Sequence, residues 1–184
     1  MTGRAVVVAL LLAALLAGGG LYWAQVYAYY REVPAAEAGP VRLAALGTGA
    51  GEAIPADGLR AIDADSSPIR FRACFRTPEP LAGLAARFEP YPEPEPPVAP
   101  GWFGCFDAEA IGAALEKGEA RAFLGARDLR YGIDRVVAVL PDGRGFAWNQ
   151  INRCGAAVFN GKPPPPGCPP APAGARLNYS PGES

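Results

Sequence analysis

From Ala5 to Ala24 the chain carries no charged side chain. As a helix, this run of twenty residues rises about 30 Å, the thickness of a bilayer's hydrocarbon core. Arg4 precedes the run, and Tyr22, Trp23, Tyr27, Tyr29 and Tyr30 gather at its far end, where amphipathic rings favour the headgroup layer. The pattern predicts one membrane crossing: residues 1–4 in the cytoplasm, 5–30 as anchor, and the rest outside. A cleaved signal peptide competes, with Ala5–Ala17 as its apolar region and Ala17-Gly18-Gly19 as a small-residue cleavage site. Against cleavage, the chain stays apolar and aromatic to Tyr30, which would leave an exposed sticky N-terminus on a soluble product.

Beyond the anchor the periods change. Residues 31–40 are small, polar and Pro-containing, as a linker is, and a globular domain is expected over 41–161. Ile69 to Arg76 alternates strictly and reads as a strand with Ile69, Phe71 and Phe75 inward and its arginines outward. Pro80–Phe88 spaces Leu81, Leu84 and Phe88 as a short helix does, and Asp107 is suited to cap a second helix that Gly118 stops. Ala120–Leu124, Asp134–Leu140 and Arg144–Ile151 read as strands, the last two joined by the turn Pro141-Asp142-Gly143. The sum is an α+β domain, a small antiparallel sheet with one or two helices on one face. Its expected core is Ile69, Phe71, Phe75, Ile111, Leu115, Phe123, Val137, Val139, Phe146, Trp148 and Ile151, with Val136 competing with Val137 for the inward position. Residues 90–100, rich in proline and glutamate, should run as an extended excursion. Residues 162–184 form a Pro-rich tail, expected to be poorly ordered except where a cysteine ties it down.

Composition narrows the function. With 17 basic and 18 acidic residues, no excess of positive charge points to a nucleic acid. The sequence contains no histidine, which removes Ser/His/Asp and Cys/His catalysis, c-type haem attachment and His-containing zinc sites. Arginine outnumbers lysine, and alanine, glycine and proline abound, as in a GC-rich bacterial genome. No cofactor or metal motif is present. Asp63-x-Asp65-Ser66-Ser67 lacks the central glycine and terminal glutamate of a calcium loop and reads as a capped turn.

Four cysteines, Cys74, Cys105, Cys154 and Cys168, all follow the anchor, with no C-x-x-C pair among them. Disulfides in an oxidising compartment are the economical reading. Of three possible connectivities, Cys74 with Cys105 and Cys154 with Cys168 each close a local excursion. Loop entropy would contribute about 3.5 kcal/mol for the larger loop and about 3 for the smaller. A reactive thiol at Cys74 is the functional alternative, because alternation puts Arg72 and Arg76 on its face and positive charge lowers a thiol's pKa. Arg70, Arg72 and Arg76 form a basic stripe that suits an anion or acidic partner, although a solvated strand face is the simpler reading. Trp102 and Phe103, in the most aromatic stretch of the domain, suit either a binding surface or a plug beside a disulfide. Asn178-Tyr179-Ser180 fits a glycosylation sequon.

Four segments carry a resemblance: Gln25–Tyr30, Ala61–Phe75, Ala99–Phe103 and Arg130–Val139. They resemble an uncharacterised bacterial family of short single-pass membrane proteins whose members are sometimes labelled histidine kinases. That label conflicts with a chain that has neither a histidine nor an ATP-binding glycine pattern. The resemblance implies no activity and no site residues. The functional expectation is therefore a non-catalytic accessory protein of the bacterial cytoplasmic membrane, its domain in the periplasm and in contact with another envelope protein. Thiol-redox chemistry at Cys74 and ligand sensing by the exported domain are the alternatives.

Overall fold

The computed structural model describes residues 3–173; Met1, Thr2 and the sequon at Asn178 lie outside that range. Helix α1, Gly3–Trp23, continues into a π-helical turn, Ala24–Ala28. Every residue of α1 is exposed, and by length and composition this apolar helix suffices to cross a membrane.

The chain then enters the sheet at once. Arg31–Val33 is strand β1, paired antiparallel with a later strand, so residues 31–40 do not form a free linker. A turn of helix, α2 (Ala35–Ala38), precedes a two-stranded hairpin, β2 (Arg42–Ala44) and β3 (Gly51–Ala53). Strands β4 (Asp57–Asp63) and β5 (Arg72–Arg76) follow, then helices α3 (Leu81–Arg87) and α4 (Ala108–Glu116). The meander β6 (Arg121–Arg130), β7 (Ile133–Val139) and β8 (Arg144–Ile151) leads into α5, Arg153–Phe159.

The main sheet has six strands in the order β1-β4-β5-β8-β7-β6, each neighbour antiparallel. The α+β class and the antiparallel sheet hold. The cover, however, lies on both faces. Period two sends Phe71, Phe75, Val137, Val139 and Ala147 into one core, with Leu84 and Phe88 from α3 and its end. It sends Ile62, Val136, Ala138, Phe146 and Trp148 into the other, against Ile111 of α4 and the plug of Phe103 and Phe106. Val136 is 0% exposed and Val137 1%, so both are inward, each on its own side. Burying a side chain of this size contributes about 1.5–3 kcal/mol; Leu115 is half-buried and packs against the second core, while Ile69 is half-buried and Ile151 is exposed, outside the core expected for them.

Local chemistry explains the boundaries. Asp107 accepts a hydrogen bond from Ala110 N at 3.1 Å and starts α4, while Gly118 adopts φ 70° just past its end. Asn152 caps α5 by accepting from Cys154 N and Gly155 N, each at 3.0 Å. Pro68 and a turn in which Arg70 N donates to Ser67 O delay β5 to Arg72, short of the expected Ile69. One sheet edge ends in β1, three residues with Arg31 and Glu32 exposed. The other is covered by residues 88–91, whose backbone bonds both β2 and β6.

Candidate functional site

The cysteines are paired Cys74–Cys105 and Cys154–Cys168, with Cα separations of 6.3 and 5.7 Å. Cys74 is 9% exposed and holds no free thiol. Cys168 fastens the tail to α5, helped by Arg153, which donates to Pro166 O at 3.3 Å, and by Tyr131, which donates to Pro169 O at 3.2 Å.

The three arginines of the expected stripe have different surroundings. Arg76 is exposed, and Arg70 is half-buried with its guanidinium 5.3 Å from the centre of the Tyr30 ring. Arg72, expected outward, is 4% exposed. It donates to the carbonyls of Ile69 (2.7 Å), Phe71 (2.8 Å), Pro97 (3.0 Å) and Val98 (3.2 Å). Arg72 turns in because the Pro-rich segment folds back over this face, and its carbonyls need donors that prolines cannot supply. Burial pulls the Arg72 pKa down to about 10, which leaves it charged at neutral pH.

The aromatic pair also turns inward. Phe103 is 1% exposed beneath Arg60, whose guanidinium lies 5.6 Å from its ring centre. Trp102 packs edge-on against Tyr30 and donates its indole N–H to Val26 O at 2.7 Å. Val26 lies in the last turn of the apolar helix, where backbone carbonyls have no helical donor. This bond and the Tyr30 contacts fasten the helix end to the domain.

Two charged residues that the sequence reading passed over are more distinctive. Asp134 on β7 is 2% exposed and accepts from Asp128 N and Asn152 Nδ2, both at 2.9 Å, and from the Tyr91 hydroxyl at 3.3 Å. Burial and that carboxylate push the Tyr91 hydroxyl far above the usual phenol pKa. With its oxygens engaged, Asp134 ties the β6–β7 turn to the cap of α5, a structural knot.

Arg135 points to the other face. Its guanidinium stacks on Phe71, 3.5 Å from the ring centre, and its Nε donates to Asn149 Oδ1 at 2.6 Å. Asn149 is itself held by donating to Pro68 O at 2.7 Å. Arg135 borders a cavity of about 500 Å³ walled by Val41, Leu59, Phe71, Leu129 and Val137, with Arg42 and Arg127 at its margin and, among the described residues, no carboxylate in its lining. Among the described residues Arg135 has no acid within ion-pair distance, and its Nη atoms have no hydrogen-bond partner. Among the described residues no side-chain nitrogen sealed from solvent is left without a partner, so these Nη atoms reach solvent. Burial lowers the Arg135 pKa to about 10, with Asp63 opposing the shift. The alternation Ile133, Arg135, Val137 was the available signal, a cation in register with core residues. Among the described residues no three carboxylates or thiols come together to hold a metal ion.

A family model described as a family of unknown function (DUF6446) matches residues 41–169. The chain belongs to this family. In DUF6446 terms, the match takes in the Arg135 cavity apart from its rim at Ala38–Pro40, together with both disulfides; the apolar helix and β1 precede it. No curated protein and no solved structure matches the chain.

Proposed function

We propose that this DUF6446 protein is a non-catalytic accessory protein, held in a bacterial cytoplasmic membrane by α1, with its disulfide-bonded domain in the periplasm and contacting another envelope protein. The observation that carries the reading is the join between an exposed apolar helix and a compact domain, made by Trp102 and Val26. A helix bonded to its domain is a part of the fold to be retained, and two disulfides suit an oxidising compartment. No nucleic-acid partner and no cofactor enter this reading. Carbonate-washed membranes should retain the full-length chain, and protease should digest the domain in spheroplasts but not in intact cells. A soluble product beginning near Gly18 would overturn the anchor. Crosslinking in cells, followed by purification in mild detergent, should return one stoichiometric partner; repeated recovery of the protein alone counts against the accessory role.

A second reading, ligand sensing by the exported domain, is favoured by one specific observation, the open cavity with a cation in its wall that has no ion-pair partner among the described residues.

A further inference from the structure

An arginine in a sheet is ordinarily solvated or paired. Arg135 is neither fully solvated nor ion-paired among the described residues. It is nevertheless held in one orientation. Phe71 stacks on its plane at 3.5 Å and Asn149 takes the Nε–H at 2.6 Å, so the Nη edge of the fork is left to an outside acceptor. A fixed planar fork matches the two oxygens of a carboxylate or phosphate. Pre-organisation also lowers the entropy lost on binding.

The strand beside it is shaped around this side chain. Gly125 sits where the β6–β7 register shifts. A Cβ there would lie 2.8 Å from Arg135 Cγ and 3.1 Å from Val137 Cγ2, so any larger residue would displace the arginine. The other arginines at the cavity have partners: Arg127 pairs with Glu89 at 3.1 Å, and Arg42 donates to Gly51 O at 2.9 Å. Among the described residues no carboxylate lines the space, although Asp63 and Glu89 lie near its arginines. Leu59, Phe71 and Val137 make its apolar wall. At about 500 Å³ it falls within the range of small-molecule sites, about 300–1,000 Å³. Free inorganic anions would leave that wall wet, and neutral hydrocarbons would leave the fork unmatched.

Resting on the ligand-sensing reading and naming its ligand class, we propose that this cavity binds an amphipathic oxyanion. The carboxylate or phosphate head sits on the Nη edge of Arg135, and the hydrocarbon portion lies along Leu59, Phe71 and Val137.

The test uses the full chain in phosphatidylcholine nanodiscs, titrated by calorimetry with hexyl phosphate, hexanoate, hexanol and inorganic phosphate, and with empty nanodiscs as the blank. Hexyl phosphate or hexanoate should saturate one site, and hexanol and inorganic phosphate should bind at least about tenfold more weakly. The stronger head distinguishes a phosphate lipid from a fatty-acid-like source. Arg135→Gln should weaken both anions at least about tenfold and abolish their advantage over hexanol; Leu59→Trp should weaken all four by filling the space. A measurement on the unaltered protein does not depend on variants folding: hexyl phosphate, and not hexanol, should protect Arg135 from phenylglyoxal, read by mass spectrometry. Equal binding of hexanol and the anions overturns the oxyanion proposal while leaving a ligand site. No saturable binding by any of the probes overturns both the proposal and the sensing reading. Membrane retention and topology are measured separately and are untouched by either result.

Discussion

Trp102 donates its indole N–H to the carbonyl oxygen of Val26 at 2.7 Å, across 76 positions of sequence. The bond satisfies an end carbonyl of the apolar helix, and the same ring meets Tyr30 edge-on with centroids 6.4 Å apart. The domain is therefore braced against the helix that precedes it. Trp102→Phe keeps an aromatic ring and removes the donor. It should cost about 1 kcal/mol and speed tryptic cleavage after Arg31, measured as a time course on the full chain in nanodiscs. An unchanged cleavage rate would show that the join is not a brace.

Arg72 and Arg76 sit on one strand and should respond in opposite ways. Arg72→Met strands four carbonyls that Arg72 now satisfies and should cost about 3 kcal/mol in urea unfolding. Arg76→Ala, at an exposed position, should stay within about 0.5 kcal/mol. Similar costs for the two would contradict the buried clamp.

Cys105→Ala opens the disulfide that closes 31 positions between β5 and the start of α4, and loss of such a bond typically costs about 2–5 kcal/mol. Replacing Cys74 and Cys105 together should match the single change, since either breaks one bond. Cys168→Ala frees a shorter loop of 14 positions and should cost less. Thermal melts of the three variants order them. A larger loss from Cys168→Ala would mean that the tail stabilises α5 more than the Pro-rich segment stabilises β5.

Asp134→Ala removes the acceptor shared by Asp128 N, Asn152 Nδ2 and Tyr91 and should cost about 3–5 kcal/mol. Asp134→Asn keeps the shape and one carbonyl, and should fall between the two. Hydrogen exchange should locate the loss in the β6–β7 turn and α5. Uniform loss across the sheet would argue against a local knot.

Anion binding at Arg135 should be flat between about pH 7 and 9, where a phosphate monoester, with its second pKa near 6, is doubly charged. Burial places the Arg135 pKa at about 10, so affinity should fall as pH passes that value. The sign for stability is opposite. Below pH about 10 the proton is bound in both folded and unfolded chains and stability does not change; above it the folded chain loses the proton first, and the desolvation cost is relieved. The charges near this group are Asp63 on β4, Arg42 on β2 and Arg127 on β6. Calorimetry across that range checks the plateau, and a steep change between pH 7 and 9 would assign the binding to another group.

What the sequence determined by itself were features with a local cause. The uncharged run before Tyr22, the Asp107 cap, the Pro141-Asp142-Gly143 turn and the alternation in β7 and β8 each depend on neighbours within a few residues, so their signals survive without the fold. Strand β4 was hidden because Asp57, Gly58 and Arg60 interrupt its alternation, and α5 because Asn152 acts as a cap only once Cys154 and Gly155 turn back toward it. Tertiary structure alone decided which charges go inside. Arg72 looked outward by period two, and became buried because carbonyls 25 and 26 residues away needed its donors. Arg135 became a candidate site because Phe71, Asn149 and Gly125, from three other strands or their flanks, fix its plane and leave its far edge open. Period two says which face a side chain takes, but whether that face meets water, a carbonyl or a cavity depends on segments distant in sequence.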